Sequence, residues 1–442
     1  MCHLLFLLSY ESYGAASCQR GSPGPGTTPP YAPPVPRPAH STAGPTMGRV
    51  TDLASFAPLL APEGQALLDA LRDHDPAQEL AVVSRLRRDH PAELVTAAIG
   101  QARLRQRAVA KFGAPDAYRM YFTPNGVEQS TRASVGTYRA ARMKALGIRS
   151  VADLCSGIGG DALALARAGI SVLAVDRDPL TAEVARANAE ALGLADLVEV
   201  RCADVTEIDT TPYDAVFVDP ARRGGRGRIF DPEAYSPPLS WAVGAARGAR
   251  YAALKVAPGI PHEAVPEEAE AEWISDGGDV KEAVLWFGTE PGARRATLLP
   301  SGAGLTGRGL PDPAVRPVGR YLYEPDGAVI RAHLVAELAE ELDGGLVDET
   351  IAYITADALV PTPYAAAYEI TDELPFNLKR LKALLREREV GTLTVKKRGS
   401  AVEPEEIRRR VKPKGPNAAT VLLTRVAGAP TMLIGHPAGT GR

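Results

Sequence analysis

Between Ser150 and Pro258 the chain repeats one pattern. A short apolar run ends in a polar corner, and most corners lead into a helical stretch. "SVADLCS", "SVLAVD", "VEVRCAD", "YDAVFVD" and "YAALKVAP" are the runs, and "DALALARAG" and "PLTAEVARANAEALG" are helical segments between them. Strands that are apolar on both faces and alternate with helices predict a parallel sheet covered on both sides. The fold class is therefore α/β, of the doubly wound type. "KEAVLWFG" and "RRATLLP" follow without a helix between them, and predict an antiparallel hairpin at the sheet edge.

Flanking regions read differently. Residues 1–46 form a Pro/Gly/Ser/Thr-rich leader with nothing to bury, and translation is expected to start at Met47. The apolar "HLLFLLSY" within it is too short to cross a membrane and lacks the basic stretch of a signal peptide. Residues 47–135 read as a helical domain, in which Leu67, Leu68 and Leu71, then Leu94, Ala97, Ala98 and Leu104, recur at helical spacing. The sheet domain is expected over 136–300 and a connecting region over 301–369. A compact α+β module is expected over 370–442, built from "NLKRLKALLRER", "GTLTVKKRG", "EPEEIRRRVK" and "NAATVLLTRVAG".

The chain of 442 residues carries a net charge of only −3, but the charge is unevenly spread. From residue 371 onward fifteen Lys and Arg face seven Asp and Glu, so this tail is +8 and the remainder −11. A basic module attached to an acidic body points to a polyanionic partner at one end only. Four cysteines are too few for a disulfide framework and none has zinc-ligand spacing, so a reduced, cytoplasmic setting without a metal is expected.

The chemistry gathers at the strand ends. In "ADLCSGIGGDALALARAG" the glycines Gly157, Gly159 and Gly160 join a strand to a helix, where positive φ and close approach of a ligand to the backbone are allowed. Glycines alone would also fit a dinucleotide. Three details argue otherwise. Ala162 stands where the third glycine of a dinucleotide loop would fall, and Asp153 lies in the strand, where a carboxylate can meet an ammonium group. Asp176 and Asp204 close the next two strands, able to accept hydrogen bonds from ribose hydroxyls and from an adenine amino group. The set reads as a site for S-adenosylmethionine.

In order, "DLCSGIGG", "AVDRD" and "CAD" resemble the first three motifs of the class I methyltransferase family, over roughly Val151 to Leu299. The resemblance implies a Rossmann-like seven-stranded methyltransferase sheet. It also implies that Asp153 and the glycine loop face the methionine moiety, Asp176 the ribose, and Asp204 with Val205 the adenine. "VDPAR" then falls where the family carries an Asp/Asn-Pro-Pro-aromatic motif that receives an amino group, which makes Asp219 and Pro220 the candidate catalytic pair. Ala221 replaces the second proline and Arg222 the stacking aromatic, so Tyr235, Phe230 or Arg222 is expected to stack the acceptor. "DPAR" also resembles the motif of RNA uracil-5 methyltransferases, but no cysteine is placed to be their nucleophile.

Arg222, Arg223, Arg226 and Arg228 suit phosphate contacts. Glu128, Gln129, Ser130 and Thr131, just before the first strand, are candidate cofactor contacts. The arrangement as a whole resembles a bacterial methyltransferase subgroup with a C-terminal THUMP-like domain, carried by "DPARR", "RYLYEPDGAVIRA" and the tail motifs. That likeness implies RNA as partner, with Lys396, Lys397 and Arg398 at the centre of the positive field. An RNA methyltransferase acting on an exocyclic amine is the expectation. A methyltransferase of a small molecule or protein, and a non-catalytic RNA-binding protein that keeps the fold, are the alternatives.

Overall fold

The computed structural model of the chain describes residues 52–221, 223–224, 227–228 and 231–439; the leader, Arg222 and Phe230 lie outside them. The helical region begins with α1 (Leu53–Leu60), where Asp52 and Ser55 cap each other reciprocally, and α2 (Pro62–Ala70). α3 (Glu79–Leu86) and the long α4 (Ala92–Phe112) follow, then α5 (Ala114–Ala117), α6 (Pro124–Gln129) and α7 (Ala133–Ala145). Their apolar stripes do not form a core of their own. Phe56, Leu68, Val95 and Ile99 belong to the same buried cluster as Val151, Val172 and Phe217 of the sheet, so the helices cover one sheet face. The boundary expected at 135/136 therefore falls inside α7.

The first sheet is built from β1 (Ser150–Leu154), α8 (Gly160–Arg167), β2 (Ser171–Asp176), α9 (Pro179–Leu192), β3 (Val198–Cys202) and β4 (Ala215–Val218). A two-residue ribbon, β5 (Arg223–Gly224) with β6 (Gly227–Arg228), then precedes α10 (Leu239–Arg247) and β7 (Tyr251–Val256). β8 (Glu270–Asp276), β9 (Asp279–Phe287), β10 (Arg294–Leu299) and β11 (Ala303–Thr306) complete it. The order is β11-β10-β8-β9-β7-β4-β1-β2-β3. Strands β1 to β4 and β7 are parallel, and β9 is antiparallel to both β7 and β8.

One expectation is extended and one corrected here. The expected seven strands are present in the order β8-β9-β7-β4-β1-β2-β3, and β10 and β11 extend the sheet beyond β8 to nine. The hairpin joins β8 to β9 through Gly277 and Gly278, both at positive φ, whereas β10 crosses over to pair with β8 in parallel.

β1 is an interior strand, flanked by β4 and β2. Alternate residues face opposite ways, so Val151 packs under the helices while Ala152 and Leu154 join a second core with α10. Asp153 is on the helical side, directly opposite Phe217 in register.

The second sheet uses β12 (Tyr321–Pro325), α11 (Gly327–Arg331), α12 (Val335–Glu341), β13 (Gly345–Asp348), β14 (Ile351–Ala356) and β15 (Ala365–Pro375). It continues with α13 (Leu378–Glu387), β16 (Val390–Lys397), α14 (Pro404–Val411), β17 (Asn417–Val426) and β18 (Ala429–Ala438), in the order β13-β14-β12-β15-β18-β17-β16. Residues 301–369 are thus no mere connection. They supply β11 to the first sheet and three full strands to the second, and the boundary expected at 369/370 cuts β15.

This sheet curls on itself. Ala427 and Gly428, at the β17–β18 turn, donate to Val347 O (3.0 Å) and Asp348 Oδ2 (2.7 Å) of the far edge strand β13. Gly399 follows β16 with φ +74°, and a Cβ there would collide with Ile351 of β14. α13 and α14 cover the outside of β16–β18 through Leu381, Leu385 and Ile407. Tyr321, Tyr323 and Ile354 pack instead into the second core of the first sheet.

Candidate active site

The corner after β1 is where the backbone departs from ordinary geometry. Cys155 has φ +66°, Gly157 +59° and Gly159 +87°. A side chain at Gly159 would be strained by that φ, although its Cβ would meet Ala185 of α9 only at ordinary contact distance. Asp176, at the end of β2, fixes the corner: its Oδ2 accepts from Gly157 N and its Oδ1 from Asp178 N, both at 3.0 Å. Around this corner opens a cleft of about 850 Å³. One wall is residues 155–161 with Asp176 and Arg177, another is the 123–132 segment, and Asp219, Pro220 and Lys255 close a third side.

Beneath the cleft lies a cluster of buried charges. Lys255, near the end of β7, is 3% exposed and donates to Asp219 Oδ2 (2.6 Å) and Thr131 Oγ1 (2.7 Å). Thr131 in turn donates to Asp161 Oδ2 (2.7 Å). Arg139 of α7, 1% exposed, forks between Asp161 and Glu282 and lies 4.6 Å over the Phe217 ring. Burial alone would raise Asp161, but the Arg139 guanidinium and then Lys255 outweigh it and hold the carboxyl below its ordinary range. Burial likewise opposes the charge on Lys255, and Asp219 and Glu282 more than compensate, so its value is raised.

Asp153 is the exception. It is fully buried and neither carboxyl oxygen has a hydrogen-bond partner. Burial, then the nearby charges of Asp161 and Asp219, push it well above the ordinary carboxylate value. Four carboxylates (Asp153, Asp161, Asp219 and Glu282) thus meet two cations, Arg139 and Lys255. The surplus of negative charge and the bare Asp153 carboxyl suit a ligand that brings positive charge.

The residues anticipated from sequence divide into two groups. Gly157, Gly160, Asp176, Asp219 and Pro220 line the cleft, and Glu128 to Thr131 line its rim; Gly159 and the fully buried Asp153 are not part of the lining. Asp204 and Val205 do not line it. Asp204 is exposed, and its Oδ1 caps a turn by accepting from Thr206 N (2.9 Å) and Thr206 Oγ1 (2.7 Å). Tyr235 is 3% exposed, too deep to offer a stacking face, and is absent from the wall.

The ribbon holds Arg223 in the chain just after the cleft, while Arg222 and Phe230 fall outside the described residues. Lys396 and Arg398 are half-buried on the inner side of the curled sheet. Lys396 bonds Glu324 and lies 5.4 Å from the Tyr368 ring centroid; Arg398 is 4.0 Å from Glu324 and 5.4 Å from the Tyr353 ring. Lys397 pairs with Glu403. Lys255, Arg139 and Glu282 were not anticipated; each is a lone charge inside an otherwise apolar strand or helix face.

Three family profiles match the chain: a methyltransferase domain over residues 151–221, a THUMP domain-like module over 365–437, and a domain of unknown function over 52–108. An uncharacterized S-adenosylmethionine-dependent methyltransferase of Mycobacterium tuberculosis, found in strains CDC 1551 and H37Rv, is 35% identical over 334 residues, 73% of this chain and 90% of that protein. The chain belongs to the S-adenosylmethionine-dependent methyltransferases.

A crystal structure of a methyltransferase from Porphyromonas gingivalis W83 superposes with a TM-score of 0.68 at 23% identity, over 83% of this chain and all of that one, which extends the likeness in fold to nearly the whole molecule. The methyltransferase uses S-adenosylmethionine, and its class I sheet carries the C-terminal THUMP-like domain. Among the described residues no helix is long and apolar enough to cross a membrane, and no group of three or more His, Cys, Asp or Glu is placed to hold a metal ion.

Proposed function

We propose that this methyltransferase modifies RNA at an exocyclic amine, and that Asp219 and Pro220 receive that amine. The observation that carries the reading is the Lys255–Asp219 pair. An ion pair 2.6 Å long leaves one Asp219 oxygen fixed by a buried lysine. The other is available to accept an N–H at the cleft wall. A carboxylate there orients an amine so that its lone pair faces the donor, and Pro220 removes a competing backbone donor. S-adenosylmethionine supplies a methyl group already activated on a sulfonium, so orientation is what the protein must add.

For the cofactor, Asp176 is available to the ribose end, since each of its oxygens keeps accepting capacity beyond its bond to Gly157 N or Asp178 N. Asp153 is available to the positively charged methionine end. Asp204 and Val205 have no part in this reading. Support for RNA comes from the THUMP-like match and from the basic helices α13 and α14 with the turn after α14, where Lys379, Arg380, Arg386, Arg409, Lys412 and Lys414 are exposed and in no ion pair among the described residues.

The test is methyl transfer from labelled S-adenosylmethionine to RNA from a strain lacking the gene, followed by mass spectrometry of the nucleosides. A methylated exocyclic amine is the expected product. Label on a ring carbon or ribose would reject the amine, and label only on protein or metabolites would reject RNA.

A further inference from the structure

The helical region holds a second, smaller cleft of about 160 Å³, far from the glycine loop in sequence. Three pieces of chain converge on it: the end of α2 with Asp69 and, just beyond, Arg72; Arg105 from α4; and Tyr118 with Arg119 after α5. Three guanidinium groups meet one carboxylate.

Arg105 decides what this means. It is 4% exposed, and its Nε donates to Met120 O at 2.9 Å. Its guanidinium stands 5.1 Å from the Tyr121 ring centroid. Among the described residues no carboxylate pairs with it. Two shielded arginines among the described residues set the standard: Arg139 holds Asp161 and Glu282, and Arg142 holds Glu270 and Glu272. Burying a charge without a counter-charge is costly. Burial pushes the Arg105 guanidinium below its ordinary value, yet an arginine keeps its proton in proteins. The cleft therefore presents a fixed cation that no carboxylate among the described residues contacts as an ion pair, Asp69 acting on it only from a distance.

The surroundings are held ready. Arg72 lies 4.8 Å over the Tyr118 ring, and Arg119 bonds Ala191 O at the end of α9, so both cations are anchored at the rim. Leu68 and Pro115 give an apolar wall that strengthens charge interactions inside.

We propose that this cleft is an anion site sized for a phosphoryl group, carried by the helical domain. Planar guanidinium forks match phosphate oxygens better than ammonium groups do. A volume well under the roughly 300 Å³ of small-molecule pockets admits a phosphate group, not a nucleoside. The phosphate belongs either to a free anion or to a phosphodiester of a longer chain. The second source rests on the RNA reading above; the anion site itself does not.

The experiment uses the full chain in chloride buffer. Calorimetric titration with inorganic phosphate should show one site in the wild type. Arg72→Glu, Arg119→Glu and Arg105→Lys should each weaken it by about tenfold or more. S-adenosylmethionine binding in the same variants, expected unchanged, establishes that they are folded.

A second arm measures binding of a short single-stranded RNA. Weaker RNA binding in Arg72→Glu and Arg119→Glu, with inorganic phosphate competing, assigns the site to a phosphodiester. RNA binding unchanged while phosphate binding is lost assigns it to a free anion. No phosphate binding by the wild type, or binding that survives in all three variants, overturns the proposal, whatever the RNA arm shows.

Discussion

The floor of the large cleft and the basic helices of the second sheet are both rich in charge, and they use it in opposite ways. Under the cleft the charges are buried, mostly locked in pairs, and carboxylates outnumber cations. On α13 and α14 the charges lie mostly at the surface and cations dominate; those of α13 are in no ion pair among the described residues, whereas on α14 Arg408 and Arg410 pair with Glu405 and Glu406 and Arg409 is left over. A buried surplus is enforced by a high desolvation cost and selects one small ligand of opposite charge. An exposed surplus costs little, is screened by salt, and attracts a polyanion without fixing its position. Under the proposed function the two regions serve two partners of the same reaction, a cationic donor and a polyanionic acceptor.

The sharpest way to break this contrast is at its most buried member. Arg139→Met strips the partner from Asp161 and Glu282 together and should cost about 3–5 kcal/mol in urea unfolding, whereas exposed Arg409→Ala should stay within about 0.5 kcal/mol. Similar losses for both would show that burial does not separate the regions.

Next in size is Asp219→Ala, expected to slow methyl transfer by about 10²-fold while calorimetric S-adenosylmethionine affinity holds within a factor of about two. Equal turnover would remove Asp219 from the chemistry.

Asp153 tests the surplus directly. Its folded value lies well above the ordinary 3.8, so below 3.8 folded and unfolded chains are both protonated, and above it the unfolded chain loses its proton first. Stability contributed by this group therefore falls as pH rises from 3.8 towards the folded value. Cofactor-free Asp153→Asn should be more stable than wild type at neutral pH, with the gap closing towards pH 3.8. Urea midpoints across pH measure it. Binding of a cationic donor should release a proton in the wild type and none in the variant, read from calorimetry in buffers of different ionisation enthalpy.

At the exposed end, Arg386→Ala with Arg409→Ala should weaken RNA binding and lower the slope of log affinity against log salt by about 1.4, at about 0.7 per contact on single strands. Lys396→Ala, already committed to Glu324, should have the smallest effect, under about 1 kcal/mol.

Much of the first sheet was legible because parallel strands buried on both faces leave long apolar runs, and the functional corners stand out as glycine and aspartate against them. The second sheet was harder. β15 reads "AAAYEITDELP", with one face half-exposed along its length, so its apolar signal is diluted and the stretch passed for a connection.

Gly277-Gly278 marked the true hairpin, but the apolar runs on either side of the later turn drew the pairing away from it. Within the site, Asp153, Asp176 and Asp219 close strands and were visible. Lys255 in "AALKV" and Glu282 in "KEAVLWF" were not, because a lone charge in an apolar run acquires its meaning only when strands β7 and β9 bring the two side by side. That interruption of an apolar run was nonetheless the available clue. Arg105 gave no such clue, since a basic residue in "QARLRQRA" is what any solvated helix end would carry.

β15 pairs on one side with β12, whose reverse face is sealed into the methyltransferase core, and on the other with β18 of the basic half. A single ribbon therefore stitches catalyst to appendage. Shortening the gene at residue 370 would leave half a ribbon and an uncovered edge, and would yield an aggregating fragment rather than a trimmed enzyme. Exchange of this appendage between relatives requires a junction upstream of β12.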